Sequence, residues 1–179
     1  MKPLGFLAIL LFTLSAYGQE PKMDKPTTLK TVLLEQFRST HNKKDWFVPV
    51  NVALDGVTAE QANWKDNSGN HSIGQLAYHL LFWDSEQLAK FKGETPVKFS
   101  GNNEETFNNF DSKKWNDTLQ HLDQVLTAWE KAIEAADDKK VAEWADTLQK
   151  INAHNAYHIG QIVYVRRLQG SWDASKGVK

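Results

Sequence analysis

Residues 115–133 read WNDTLQHLDQVLTAWEKAI. Trp115, Leu119, Leu122, Leu126, Trp129 and Ile133 recur at alternating steps of four and three, the spacing that gathers side chains on one face of an α-helix. Working outward, Asp137, Asp138 and two lysines break the apolar pattern, and a further stripe follows. It carries Trp144, Leu148, Ile151, His158, Ile162 and Val165, with Gly170 as a natural stop. Upstream, Ser72 with Gln75 forms a capping box that opens another helix, striped by Ile73, Leu76, Leu80 and Trp83 and running to about Phe91. From Thr27, the residues Leu29, Val32, Leu33, Gln36, Phe37 and Thr40 share one side of a helix that Pro49 should kink or end, with the pattern resuming to about Leu54. Four amphipathic helices and no alternating strand pattern predict an all-α four-helix bundle over residues 27–170. The connections between helices are long. Residues 55–71 are rich in Asn, Asp and Gly, with Trp64 expected to tuck inward, and residues 93–112 read as a lid or as a crossover between distant helices. Residues 171–179 are left as a tail.

The composition suits one domain: 179 residues, 41% apolar, with seven Trp, nine Phe and four Tyr to fill a core. The N-terminus reads differently. Lys2 precedes an apolar run from Leu4 to Leu14, and small residues stand at Ala16 and Gly18, which is the pattern of a secretory signal peptide over residues 1–18 cleaved before Gln19. The competing reading is a membrane anchor, but a span needs roughly twenty apolar residues and this run is shorter. Export predicts a secreted or periplasmic protein, with residues 19–26 as a polar arm. The absence of Cys excludes disulfides, Cys-type zinc sites, a thiol nucleophile and a lipid anchor on Cys. Removing Lys2 with the signal takes the net charge from −1 to −2, and no basic block stands out, so nucleic acid is not an expected partner.

The histidines sit where leucines belong. His158 lies on the core stripe of the last helix, and His154 lies one turn earlier at the edge of that face. Imidazoles at i and i+4 can converge on one metal ion. His79 lies in the apolar run Leu76 to Trp83, close to that helix's own stripe. The plain alternative is three packed histidines, each satisfied by one polar partner. Against it, three imidazoles in one small core each need partners, and leaving them unpaired costs roughly 1–3 kcal/mol apiece. A metal held by His79, His154 and His158 would satisfy all three and keep a position open for water or substrate. Imidazole suits zinc, nickel, copper or iron alike. Gln75 and Gln161 are candidates to orient the outer ring nitrogens, and Trp64, Phe82, Trp83 and Tyr157 to line the pocket. His71 and His121 read as exposed, and His41 as facing the bundle beside Phe37. No Asp or Glu on either helix stands out as a general base.

The stretch NAHNAYHIGQIVYVRRLQG, residues 152–170, resembles the signature of the DinB-like (YfiT-like) metalloprotein superfamily, in which two helical histidines precede Gly-Gln-Ile. HSIGQLAYHLLFW, residues 71–83, is similar to that family's second helix, which carries the remaining ligand. The resemblance spans roughly residues 27–170 and places the family's three metal ligands on His79, His154 and His158. It implies a four-helix bundle of unusual handedness with an open site, usually for zinc or nickel. It further implies a metal-dependent hydrolase acting on a small-molecule substrate, or a thiol-S-transferase, and often a homodimer. A non-catalytic metal- or ligand-binding bundle is the remaining alternative. An export signal departs from the cytosolic relatives and counts against a low-molecular-weight thiol cofactor.

Overall fold

The computed structural model describes residues 27–178; the signal sequence and polar arm expected over residues 1–26 lie outside them. All regular structure among the described residues is helical. Seven α-helices follow in order: α1 (Leu29–His41), α2 (Val50–Leu54), α3 (Ala59–Asn63), α4 (Ile73–Lys92), α5 (Glu105–Asn108), α6 (Trp115–Ala135) and α7 (Asp138–Leu168). The four long ones, α1, α4, α6 and α7, make the bundle.

Local sequence explains where each begins and ends. Ser72 Oγ accepts from the Gln75 amide while Gln75 Oε1 accepts from the Ser72 amide, so the expected capping box starts α4. Gly93 ends α4 in the left-handed conformation at φ 79°, open to it because it has no Cβ. Asp137 caps α7 through the Lys140 amide. The first predicted helix stops at His41, and Pro49 opens the separate α2 instead of kinking a continuous helix. Each connection also holds a short helix that reading by periodicity misses: α3 within 55–71 and α5 within 93–112. Four or five residues are too few to show a stripe.

Around the bundle, α4 packs on α6 and α7, and α1 packs on the same two. Consecutive α6 and α7 diverge from the turn at 136–137 and are not principal neighbours. The α6 stripe points inward: Trp115, Leu122, Leu126, Trp129 and Ile133 are buried and Leu119 packs at its margin. Trp129 packs at a tilt against Phe37 and Phe91, with centroids 5.3 Å away in both cases, tying α1, α4 and α6 together. Two stripes differ from expectation. In α1 the buried face is Leu33, Leu34 and Phe37, while Leu29 and Val32 are exposed, because α1 is rotated so that its inward face centres on Phe37 and Val32, next to buried Leu33, turns away from it. In α4 the buried face runs Leu76, Leu80, Asp84 and Leu88 in steps of four, and Trp83 is only half-buried. A carboxylate thus stands in a row of leucines.

Candidate metal centre

His79 on α4 and His154 and His158 on α7 come together where these two helices face each other. The Nε2 atom of His154 lies 3.0 Å from Nε2 of His79 and 3.1 Å from Nε2 of His158. His79 and His158 are buried and His154 half-buried.

The outer nitrogens settle the tautomers. His79 Nδ1 lies 2.6 Å from Thr106 Oγ1, and that hydroxyl gives its only hydrogen to the Asn103 carbonyl, also at 2.6 Å. Thr106 can therefore only accept, so His79 Nδ1–H donates and Nε2 is bare. Gln161 Oε1 lies 2.6 Å from His158 Nδ1, and its Nε2 donates to the Tyr157 hydroxyl at 3.2 Å. His158 Nδ1–H donates and its Nε2 is bare as well. Burial, reinforced by the neighbouring imidazoles, lowers the His79 pKa to about 3 and that of His158 to about 4. Burial also lowers His154. The rings are neutral near neutral pH, the form that binds metal.

Two bare nitrogens thus aim at His154 Nε2, which carries at most one hydrogen and can serve only one of them. The other contact sets lone pair against lone pair at hydrogen-bond distance. A divalent ion resolves that conflict by accepting from all three. Ligand bonds of ~2.0–2.1 Å place neighbouring nitrogens ~2.9–3.4 Å apart, and the observed 3.0 and 3.1 Å fall in that range. These three histidines can form a metal site.

The cluster lines a cavity of about 570 Å³ between α4, α7 and the 93–112 connection. That connection forms part of the cavity wall. Its α5 supplies Thr106, 1% exposed, and Phe107, whose ring stacks on His79 at 3.9 Å and 7°. His71 stacks on Phe107 at 3.8 Å, so it is half-buried rather than exposed as expected. Trp83 lines the cavity and donates through Nε1 to Asn103 Oδ1 at 3.3 Å. Asp84 lines it too, 1% exposed, with Oδ1 accepting from Asn155 Nδ2 at 3.2 Å. Burial raises its pKa to about 7 against the opposing Asn155 hydrogen bond.

Other residues singled out from sequence fall elsewhere or act differently. Tyr157 meets the His158 ring edge-on at 5.0 Å but is itself exposed. Gln75 is committed to the Ser72 cap and, at 3.5 Å, to Asn108, because a capping residue is held at its own helix start. Trp64 packs beside His71 and Val165, outside the cavity, where its position at the end of α3 carries it. Phe82 faces a second cavity with Phe99, because its place in α4 turns it away from α7. His41 lies between Glu130 and Asp123 on α6, at 2.6 and 3.0 Å, and His121 is exposed. Asp84, Thr106, Phe107 and Asn155 are absent from the sequence-derived site. Only Asp84 leaves a signal in the sequence, as a charge at a leucine position of α4.

A sequence model described as the DinB superfamily matches residues 50–162, more than half of the chain and including all three clustered histidines. Curated proteins return no match, and neither do solved structures.

Proposed function

This chain belongs to the DinB superfamily, and from that premise we propose that it is a metal-dependent hydrolase acting on a small molecule held in the cavity between α4 and α7. The observation that carries this reading is the set of three imidazole nitrogens converging on one wall of a cavity large enough for a substrate. When bound there, a divalent ion, zinc or nickel in this proposal, supplies Lewis acidity that lowers the pKa of water held beside it. The chain's own residues do the positioning. Thr106 and Gln161 hold the His79 and His158 rings in the ligating tautomer. Phe107 and Trp83 cover the cluster and limit its contact with bulk water.

The thiol-transfer reading uses the same site, but the chain has no Cys, so any thiol would enter as a co-substrate. Export through residues 1–18 belongs to the proposal as well. No described helix is long and apolar enough to cross a membrane, and an intact mass beginning at Gln19 in the native host is the result expected.

The test is elemental analysis of purified protein beside single His79→Ala, His154→Ala and His158→Ala variants, with ester and amide probes assayed with and without a small thiol. About one equivalent of metal, lost in each variant together with thiol-independent turnover, is expected. Turnover that needs the thiol would shift the assignment to transfer. Metal-free protein that takes up neither zinc nor nickel would end both readings.

A further inference from the structure

Gly74 lies in the first turn of α4 with an ordinary helical backbone, apart from the glycines of positive φ. Alanine would suit that conformation better, because glycine has more backbone freedom to lose in a helix. The reason for a glycine here is tertiary. A Cβ at this position would stand 2.2 Å from Phe110 Cζ and 2.3 and 2.7 Å from the two Cε atoms. Carbon atoms in contact rest at roughly 3.5–4.0 Å, so the ring occupies the place of any side chain at 74. Phe110 also meets Trp115 edge-on at 6.0 Å and 88°. Trp115 is buried and tied through Nε1 to the Val57 carbonyl at 2.8 Å, so it gives the ring little room on that side.

This seat closes one end of a ladder of contacts in which the 93–112 connection runs antiparallel to α4. Gly74 faces Phe110, and Gln75 Nε2 donates to Asn108 Oδ1 at 3.5 Å. Further along, His79 Nδ1 donates to Thr106 Oγ1 at 2.6 Å, and Trp83 Nε1 donates to Asn103 Oδ1 at 3.3 Å. The hydrogen bond that fixes the His79 tautomer therefore lies between Trp83 and the Gly74 seat. The Gln75 contact is at the limit of hydrogen-bond length, which leaves the Phe110 ring as the close, packed anchor at that end of α5. We propose that Gly74 is a positioning residue for His79. Its missing side chain lets Phe110 seat on α4, and that seat brings α5 near enough for Thr106 to hold the His79 ring with Nε2 bare. Displacing α5 by roughly 1 Å would stretch the 2.6 Å contact past hydrogen-bond reach. The effect on the tautomer stands by itself; the effect on metal rests on reading the three histidines as a metal site.

The test is the zinc affinity of full-length protein, by competition with a chromophoric chelator, beside the ring-nitrogen NMR shifts of His79 in chelator-stripped protein. Gly74→Ala should weaken zinc binding about tenfold and move the His79 hydrogen from Nδ1 toward Nε2. In a Thr106→Val background the same substitution should change zinc affinity by less than about twofold, because its route to His79 is already cut. A merely structural effect would cost the same in both backgrounds, and that result overturns the proposal. So does a folded Gly74→Ala protein that keeps either the wild-type affinity or the wild-type tautomer. Circular dichroism identifies folded variants. If Gly74→Ala does not fold, Phe110→Ala, which empties the seat without adding bulk, carries the test. It should weaken zinc binding severalfold and shift the same hydrogen, and an unchanged tautomer there would sink the idea. If wild-type protein took up neither zinc nor nickel, the metal reading would fall, and the His79 tautomer in stripped Gly74→Ala would decide this one alone.

Discussion

The sharpest consequence of the tautomer argument concerns Thr106, a residue expected to touch neither metal nor substrate. Thr106→Val preserves the β-branched shape and removes the oxygen that accepts from His79 Nδ1–H at 2.6 Å. His79 is 3% exposed, so no solvent replaces that acceptor. The ring then lowers its energy by moving its hydrogen to Nε2, where His154 can accept it at 3.0 Å. That tautomer cannot bind metal. Loss of such an orienting partner weakens metal affinity by roughly ten- to a hundredfold, about 1.4–2.7 kcal/mol. Competition for zinc against a chromophoric chelator measures it, with Thr106→Ser as the control that keeps the hydroxyl and should stay near wild type. A Thr106→Val protein binding zinc within about threefold of wild type would refute the assignment of hydrogens, and with it the case that lone-pair conflict calls for a metal.

Three further outcomes are expected. Asp84 has its folded pKa raised to about 7 from 3.8, so its penalty is absent below about pH 3.8 and grows as pH rises through 7. In chelator-stripped protein, Asp84→Asn should therefore raise Tm most at pH 8, with the gap closing toward pH 4; a gap that widens on acidification would contradict this. Arg166, 3% exposed, donates to the carbonyls of Ala53, Asp55 and Ser171 at 2.7, 3.1 and 2.8 Å. Arg166→Ala should cost about 3 kcal/mol in urea unfolding, and a loss under 1 kcal/mol would show that water takes over those carbonyls. His41→Gln, which breaks the contacts to Glu130 and Asp123, should lower stability by about 2 kcal/mol yet leave zinc stoichiometry unchanged by elemental analysis. Loss of zinc there would place His41 within the site.

Range separates what residue spacing shows from what it does not. Long helices announce themselves through repeats of three and four, so α4, α6 and α7 were legible from residue spacing, as was the Ser72 capping box. The three histidines stood out because a polar ring on an apolar stripe must meet something, and stripes on different helices meet in a bundle core. Trp83 misled for a related reason: a large aromatic suits a stripe, and Asp84 beside it does not, yet the rotation of α4 buried the aspartate. The α1 stripe shifts for the same reason: Leu29 and Val32 match the period, but the rotation of α1 turns Leu33, Leu34 and Phe37 inward in their place.

Backbone periodicity and the cost of burying polar groups are local properties, so the helical class and the histidines able to share a core follow from residue order alone. Packing of the whole chain sets which partner each outer nitrogen meets. It alone joined the 93–112 connection to the site through Thr106 and Phe107. It alone set Asp84 against Asn155, 71 positions away, beside the histidines. Such pairings depend on how helices rotate and where connections cross, and that is fixed by the packing of the whole core rather than by any one segment.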